Sequence, residues 1–338
     1  MRRHRATAAT AVTAAAAGLA AALLLGGCGA VTGGGPPPRP APAGPSGEPG
    51  PEDLRVLARA EQVLISRCMG ARGFPYEVTE VTGASGEGAR SFPYGVDDVA
   101  WARAHGYGSR EERRRAEARR SDPNQRWFQG LSPSERAAAR TALMGASPVG
   151  LSVQAPTGMT ITASAEGCIA DAERALYGDL KGWFRVKVVT MNLLPVREAR
   201  VREDRRYADA VGRWAACMRA AGRPYATPDD SRQAAAHYAE SLPAQEADAA
   251  EIALAVTEAT CATGTPLAQV SRALDRTYGE QLRAQHRQEL AERWRFQNAA
   301  LPMARRIAPP APSASPSLLT PPSSPEPGKT ETSGGSHA

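Results

Sequence analysis

Cysteines carry the most chemistry in this chain, and their spacing narrows what that chemistry is. Apart from Cys28 there are four, Cys68, Cys168, Cys217 and Cys261, separated by 100, 49 and 44 residues. Structural zinc sites draw their ligands from closely spaced pairs, and no CxxC pair exists here, so the four read as two disulfides rather than as a metal site. Other chemistries have thinner support. His105, His237, His286 and His337 form no HExxH pair, and GxSxG, P-loop and GxGxxG patterns are missing. GASGEG, residues 83–88, lacks the Lys-Ser/Thr and the following helix that a phosphate loop needs. Asp97, Asp98, Asp229 and Asp230 could supply a carboxylate pair for glycan cleavage, but adjacent Asp residues ahead of a helix more often cap it. No cofactor and no metal are expected.

Two of the cysteines sit in a phrase that is written twice. CMGARGFPY, residues 68–76, returns as CMRAAGRPY, residues 217–225, with Cys, Met, Gly, Pro and Tyr at the same places. The matching residues are not the commonest ones, which argues against chance. Ahead of each copy apolar residues step at a helical period: Leu54, Leu57, Leu64 and Ile65 before the first, Tyr207, Val211 and Trp214 before the second. Gly73 and Gly222 then stand where a helix ends in a left-handed residue, and Pro75 and Pro224 block its resumption. Each phrase is therefore a helix end. Each is followed by one more cysteine on a later predicted helix, Cys168 in AEGCIADAERALYG and Cys261 in IALAVTEATCATG. Two related units would pair Cys68 with Cys168 and Cys217 with Cys261, and each bridge would staple a first helix to a second.

The ends of the chain bear on compartment. Residues 1–27 begin MRRHR and tighten into LAAALLLGG, the basic start, apolar middle and small residues of a secretory signal peptide. Leu25, Gly26, Gly27 and Cys28 resemble the lipobox of bacterial lipoproteins, which implies that Cys28 is lipidated, with acyl chains such as palmitate, and becomes the mature N-terminus. Such an anchor would hold the protein on the outer face of the cytoplasmic membrane. Residues 28–50 read as a Pro/Gly-rich tether and residues 306–338 as a disordered Pro/Ser-rich tail, both too poor in apolar side chains to build a core. Loss of Arg2, Arg3 and Arg5 with the signal takes the formal charge from +6 to about +3, too little to argue for a nucleic-acid partner.

Between these ends the expected fold is mainly α, as two related disulfide-stapled helical units over residues 51–205 and 206–305. Ser132, Pro133 and Glu135 in SPSERAAARTALMG predict a capped helix to about Met144. VGLSVQAPTGMTITA alternates around Pro156 to Gly158 and predicts a small β-hairpin. VKVVTMNLLP fits either a short strand or the continuation of a helix. Leu267, Val270, Leu274, Tyr278, Leu282, His286, Leu290 and Trp294 step by three or four and predict one long helix, with His286 a structural residue on its apolar stripe.

Trp214, Cys217, Met218, Gly222 and Tyr225, together with the Glu/Ala-rich stretch from Glu251 to Cys261, resemble helix-rich actinobacterial (Streptomyces-type) lipoproteins of unassigned function. The resemblance covers about residues 60–300. It implies no particular reaction and suggests an envelope or transporter component as partner. Leu64 or Ile65 stands in the first unit where Trp214 stands in the second, so the copies have diverged.

One segment stands apart. Eight of the eighteen aromatic residues fall between Phe74 and Phe128, largely in the Gly- and Pro-punctuated stretch SFPYGVDDVAWARAHGYGS, read as an irregular insertion in the first unit. Phe92, Tyr94, Asp97, Asp98, Trp101 and Tyr107 are its candidate partner surface, and packing of the excursion is the competing account. The sequence points to a non-catalytic binding or scaffold protein of the cell envelope, membrane-attached through its lipid. The alternative is a peptidoglycan hydrolase with its carboxylates in the insertion.

Overall fold

Both copies of the repeated phrase end a helix with the same hydrogen bonds. In the computed structural model, which describes residues 47–79 and 90–308, α1 (Pro51–Ala71) starts with Pro51 at its first position and Glu52 and Asp53 in its first turn. A fixed φ and negative charge both suit a helix N-terminus. At its other end the Gly73 amide donates to Gly70 O at 3.0 Å and the Phe74 amide to Met69 O at 2.9 Å. In the second copy Gly222 donates to Arg219 O at 3.0 Å and Arg223 to Met218 O at 2.8 Å. Both are Schellman closures, with Gly73 and Gly222 at φ 83° and 74° in the left-handed position that the motif requires.

After α1 come α2 (Val99–His105), α3 (Ser109–Arg120), α4 (Pro123–Gly130) and α5 (Pro133–Met144). A hairpin of β1 (Leu151–Gln154) and β2 (Thr160–Ala163) leads to α6 (Cys168–Tyr177), α7 (Leu180–Met191), α8 (Leu193–Glu203) and α9 (Arg205–Ala220). The chain finishes with α10 (Pro228–Ser241), α11 (Ala244–Gly264), α12 (Leu267–Gln285) and α13 (Arg287–Ile307). The fold is mainly helical. Ser132 and Glu135 form a reciprocal capping box on α5. The hairpin is antiparallel, Leu151 opposite Ala163 and Gln154 opposite Thr160, and its inner residues Val153 and Ile161 pack on Phe184 and Val188 of α7.

Three stretches differ from, or resolve, what the sequence offered. Residues 186–191 are helical despite their β-branched run: Asp179 accepts from the Gly182 amide to start α7, and the hairpin then covers its Phe184 and Val188 face. The long apolar stripe is broken at His286, where φ −108° and ψ 28° separate α12 from α13. Among the described residues the aromatic-rich stretch is irregular over residues 74–79 and 90–98 and helical through most of residues 99–130.

Cys68 is bridged to Cys168, joining α1 to α6, and Cys217 to Cys261, joining α9 to α11, with Cα separations of 5.5 and 5.7 Å. Loop-closure estimates give roughly 4 kcal/mol for each bridge. Packing crosses the boundary between the two sequence halves. Ala300, Leu301 and Ala304 of α13 lie against Val56, Leu57 and Ala60 of α1, while Val96, Trp101 and Ala102 of the insertion lie against Ala255 and Ala259 of α11. The described residues accordingly belong to one compact unit in which each bridged half lends an element to the other. Non-reducing peptide mapping of the mature protein should return the two pairs above, and a Cys68 to Cys217 peptide would overturn this arrangement.

The signal stretch, Cys28, the tether as far as Ser46, the GASGEG loop and the tail from Pro309 lie outside the described residues. Among the described residues no helix is long and apolar enough to cross a membrane.

Candidate functional site

Glu251 and Glu258 stand two turns apart on one face of α11, and both are buried. A buried carboxylate needs donors, and the insertion supplies them. Glu258, at 0% exposure, accepts from the Val96 amide at 2.7 Å and from the hydroxyls of Tyr107 and Ser231. Glu251 accepts from the amides of Tyr107 at 2.7 Å and Ser109 at 3.2 Å. The second of these bonds caps α3, whose own N-cap residue is Gly108 and has no side chain for the task. Gly95 and Gly106 let the backbone come this close. Their φ values are 113° and 61°, and a Cβ would fall 3.2 Å from Glu258 Oε1 and 2.8 Å from Glu251 Oε1. Burial pushes the Glu258 carboxyl above the usual carboxylate range, opposed by its bonds from Ser231, Tyr107 and Val96. The Tyr107 phenol is raised too, by burial and then by the charge of Glu258.

Held at Val96 by Glu258, residues 90–98 form a strap over α11 and α12. Arg232 of α10 donates to Phe92 O and Arg202 of α8 to Pro93 O, both at 2.7 Å. Asp98 caps α2 by accepting from the Trp101 amide at 2.9 Å and also pairs with Arg90, and the two bonds hold its carboxyl below the usual range. Asp97 pairs with Arg272 of α12 at 2.7 Å. The Tyr94 hydroxyl donates to Asp275 at 2.7 Å, and Arg197 reaches the same carboxylate at 3.0 Å. Burial and that bond raise the Tyr94 phenol, and burial pushes the Tyr207 phenol beside it up to about 12.

These contacts correct the aromatic surface. Tyr94 and Trp101 are each 8% exposed and belong to the core. Trp101 stacks on His105 at 4.1 Å and tilts against Phe92 at 5.7 Å, with the Arg90 guanidinium 5.0 Å from the Phe92 ring centroid. Tyr107 is partly buried against Glu258. The rings are enclosed because the strap docks on a helix face of small residues, Ala255 and Ala259, which leaves room for them. What remains reachable is the edge of the strap. Between it and α8 and α12 opens a cleft of about 640 Å³, lined by Phe92, Tyr94 and Asp97 on one side and Arg197, Arg272 and Arg276 on the other.

The cleft is a place of fixed charge. Its carboxylates are all engaged: Asp97 by Arg272, Asp275 by Arg197 and Tyr94, and Glu198 by Arg202 at 3.6 Å. Arg276 makes no ion pair or hydrogen bond among the described residues, which leaves one cation on the wall for a ligand. Asp229 lies 3.7 Å from Arg232 and Asp230 closes the capping box of α10 with Thr227, so both are engaged within α10. Glu258, whose carboxyl burial raises, lies behind Tyr107 and Ser231 rather than in the cleft. Among the described residues no group of three or more His, Cys, Asp or Glu is arranged to hold a metal ion.

The anchoring pair Glu251 and Glu258 did not emerge from the sequence, although a signal was present: two glutamates seven residues apart in an otherwise Ala-, Leu- and Val-rich helix share one buried face. Arg276 had no such signal. No known protein family, curated protein or solved structure matches this chain.

Proposed function

We propose that this chain is a lipid-anchored, extracytoplasmic binding or scaffold protein of a bacterial cell envelope, non-catalytic, which presents the cleft beside Tyr94 to its partner. The observation that carries this reading is the pair of bridges. All four cysteines beyond Cys28 are joined in disulfides, which persist in oxidising compartments, and the chain carries a signal-like stretch ending at Cys28. Binding is favoured over turnover because every carboxylate of the cleft is neutralised by a neighbouring cation, whereas glycan hydrolysis needs a protonated acid facing an ionised one. The lipoprotein resemblance makes an envelope or transporter component the partner class.

Cys28→Ala is expected to release the protein from the membrane fraction or to leave an unprocessed precursor, since one lipidated residue supplies the anchor. Fractionation with lipid labelling checks this, and a membrane-bound, lipid-labelled Cys28→Ala protein would overturn it. Crosslinking in native membranes, repeated with Arg276→Glu, reads the cleft. Loss of a crosslinked species at unchanged melting temperature is expected. Turnover of purified cell wall, abolished by Asp97→Asn or Asp98→Asn, would move the reading to a hydrolase.

A further inference from the structure

A second cavity, of about 510 Å³, opens between the end of α5, β2, α6 and α7 and shares no residue with the cleft beside Tyr94. Its size suits a small molecule, and Met144, Pro148, Ile169 and Phe184 give it apolar walls. Met144, 56% exposed, leaves an adaptable thioether side chain on the wall with little protein cover. The frame around it is stiff. Cys168, at the start of α6, is bridged to Cys68. The preceding Gly167 packs so closely on the end of α5 that a Cβ there would lie 2.3 Å from the Gly145 nitrogen.

Four charged residues line this cavity, and they are not equivalent. Glu173 is buried and accepts from the Lys187 ammonium. That is the single hydrogen bond of the Lys187 ammonium among the described residues, so two of its three N–H donors have no protein acceptor. Arg140 lies 5.9 Å over the Phe128 ring and meets no carboxylate among the described residues. Glu166 is exposed. The Glu61 carboxyl of α1 nearby is pushed up by burial and then by the charge of Glu173, with Lys187 pulling the other way. The charge with donors to give is the ammonium.

We propose that this cavity binds a small amphipathic carboxylate, its apolar chain against Met144, Ile169 and Phe184 and its carboxylate on the Lys187 ammonium, with Arg140 as the second cation. A charged hydrogen bond to Lys187 sets the headgroup preference, and the apolar wall sets the need for a chain.

The inference stands apart from the proposed partner cleft and is tested separately. The mature, disulfide-bonded protein is titrated calorimetrically at neutral pH with decanoate, decanol and decylamine. Saturable decanoate binding is expected, about tenfold or more tighter than either of the other two. Lys187→Gln should weaken decanoate by about tenfold. Because that change also removes the partner of buried Glu173, Ala146→Trp serves as the independent variant: Ala146 is exposed and lines the same cavity, so the indole should block the site while the ion pair and the melting temperature stay as they were. Arg276→Glu should bind decanoate like the wild type. Decanol or decylamine binding as tightly as decanoate, non-saturable decanoate binding, or full binding by Ala146→Trp would each overturn the assignment.

Discussion

Trp101→Ala is expected to lower the stability of the fold by about 3–5 kcal/mol. The indole is 8% exposed, stacked on His105 at 4.1 Å and set against Phe92 at 5.7 Å, in the cluster that packs on Ala255 and Ala259 of α11. Alanine leaves a void that those alanines cannot fill, so the loss includes cavity as well as transfer free energy. Tyr94→Phe provides the contrast. It deletes only the hydroxyl that donates to Asp275 at 2.7 Å, and Asp275 retains Arg197 at 3.0 Å, so about 1 kcal/mol is expected. Urea unfolding of the two variants separates these outcomes. An unchanged midpoint for Trp101→Ala, combined with loss of a crosslinked partner, would restore the aromatic segment as a recognition surface.

That contrast also marks what could be read from the chain. The helix ends at Gly73 and Gly222 were legible because a Schellman closure is local: a glycine, a proline two residues on and a preceding apolar stripe suffice. The capping box of Ser132 and Glu135 was legible for the same reason, both partners lying within one turn. The β-branched run at 186–190 was ambiguous, because what makes it helical is tertiary: the hairpin resting on Phe184 and Val188. The strap lay furthest from view. Its backbone is held at Val96 by a carboxylate 162 residues away, and no local pattern in SFPYGVDD announces a partner at that distance. Sequence could say that the aromatics lie in an irregular segment. It could not say that two glutamates would draw that segment onto α11 and turn its rings inward.

Glu258→Ala is expected to cost about 3–5 kcal/mol, because it strips one buried acceptor from three donors at once, the Val96 amide and the hydroxyls of Tyr107 and Ser231. Glu258→Gln should behave quite differently, since the amide keeps an acceptor and loses the buried charge. The pH dependence distinguishes them. Burial raises the folded-state carboxyl above its ordinary 4.5, an effect that Arg232 and the three hydrogen bonds only partly oppose. Between the unfolded value and the raised one, the folded state binds more protons than the unfolded state, so this group makes stability fall as pH rises through that window and contributes no slope beyond it. Wild type should therefore lose stability relative to Glu258→Gln on going upward from pH 4.5, with the two nearest to parity at the acidic end. Denaturant titrations of both proteins across the range measure that difference directly, other titrating groups being common to the pair. Parallel curves would mean that Glu258 titrates alike folded and unfolded, and the strap would then be held by an ordinary ionised carboxylate. A widening gap would mean that the insertion docks on a carboxyl whose proton affinity is raised by the same burial that hides Tyr107 and Ser231.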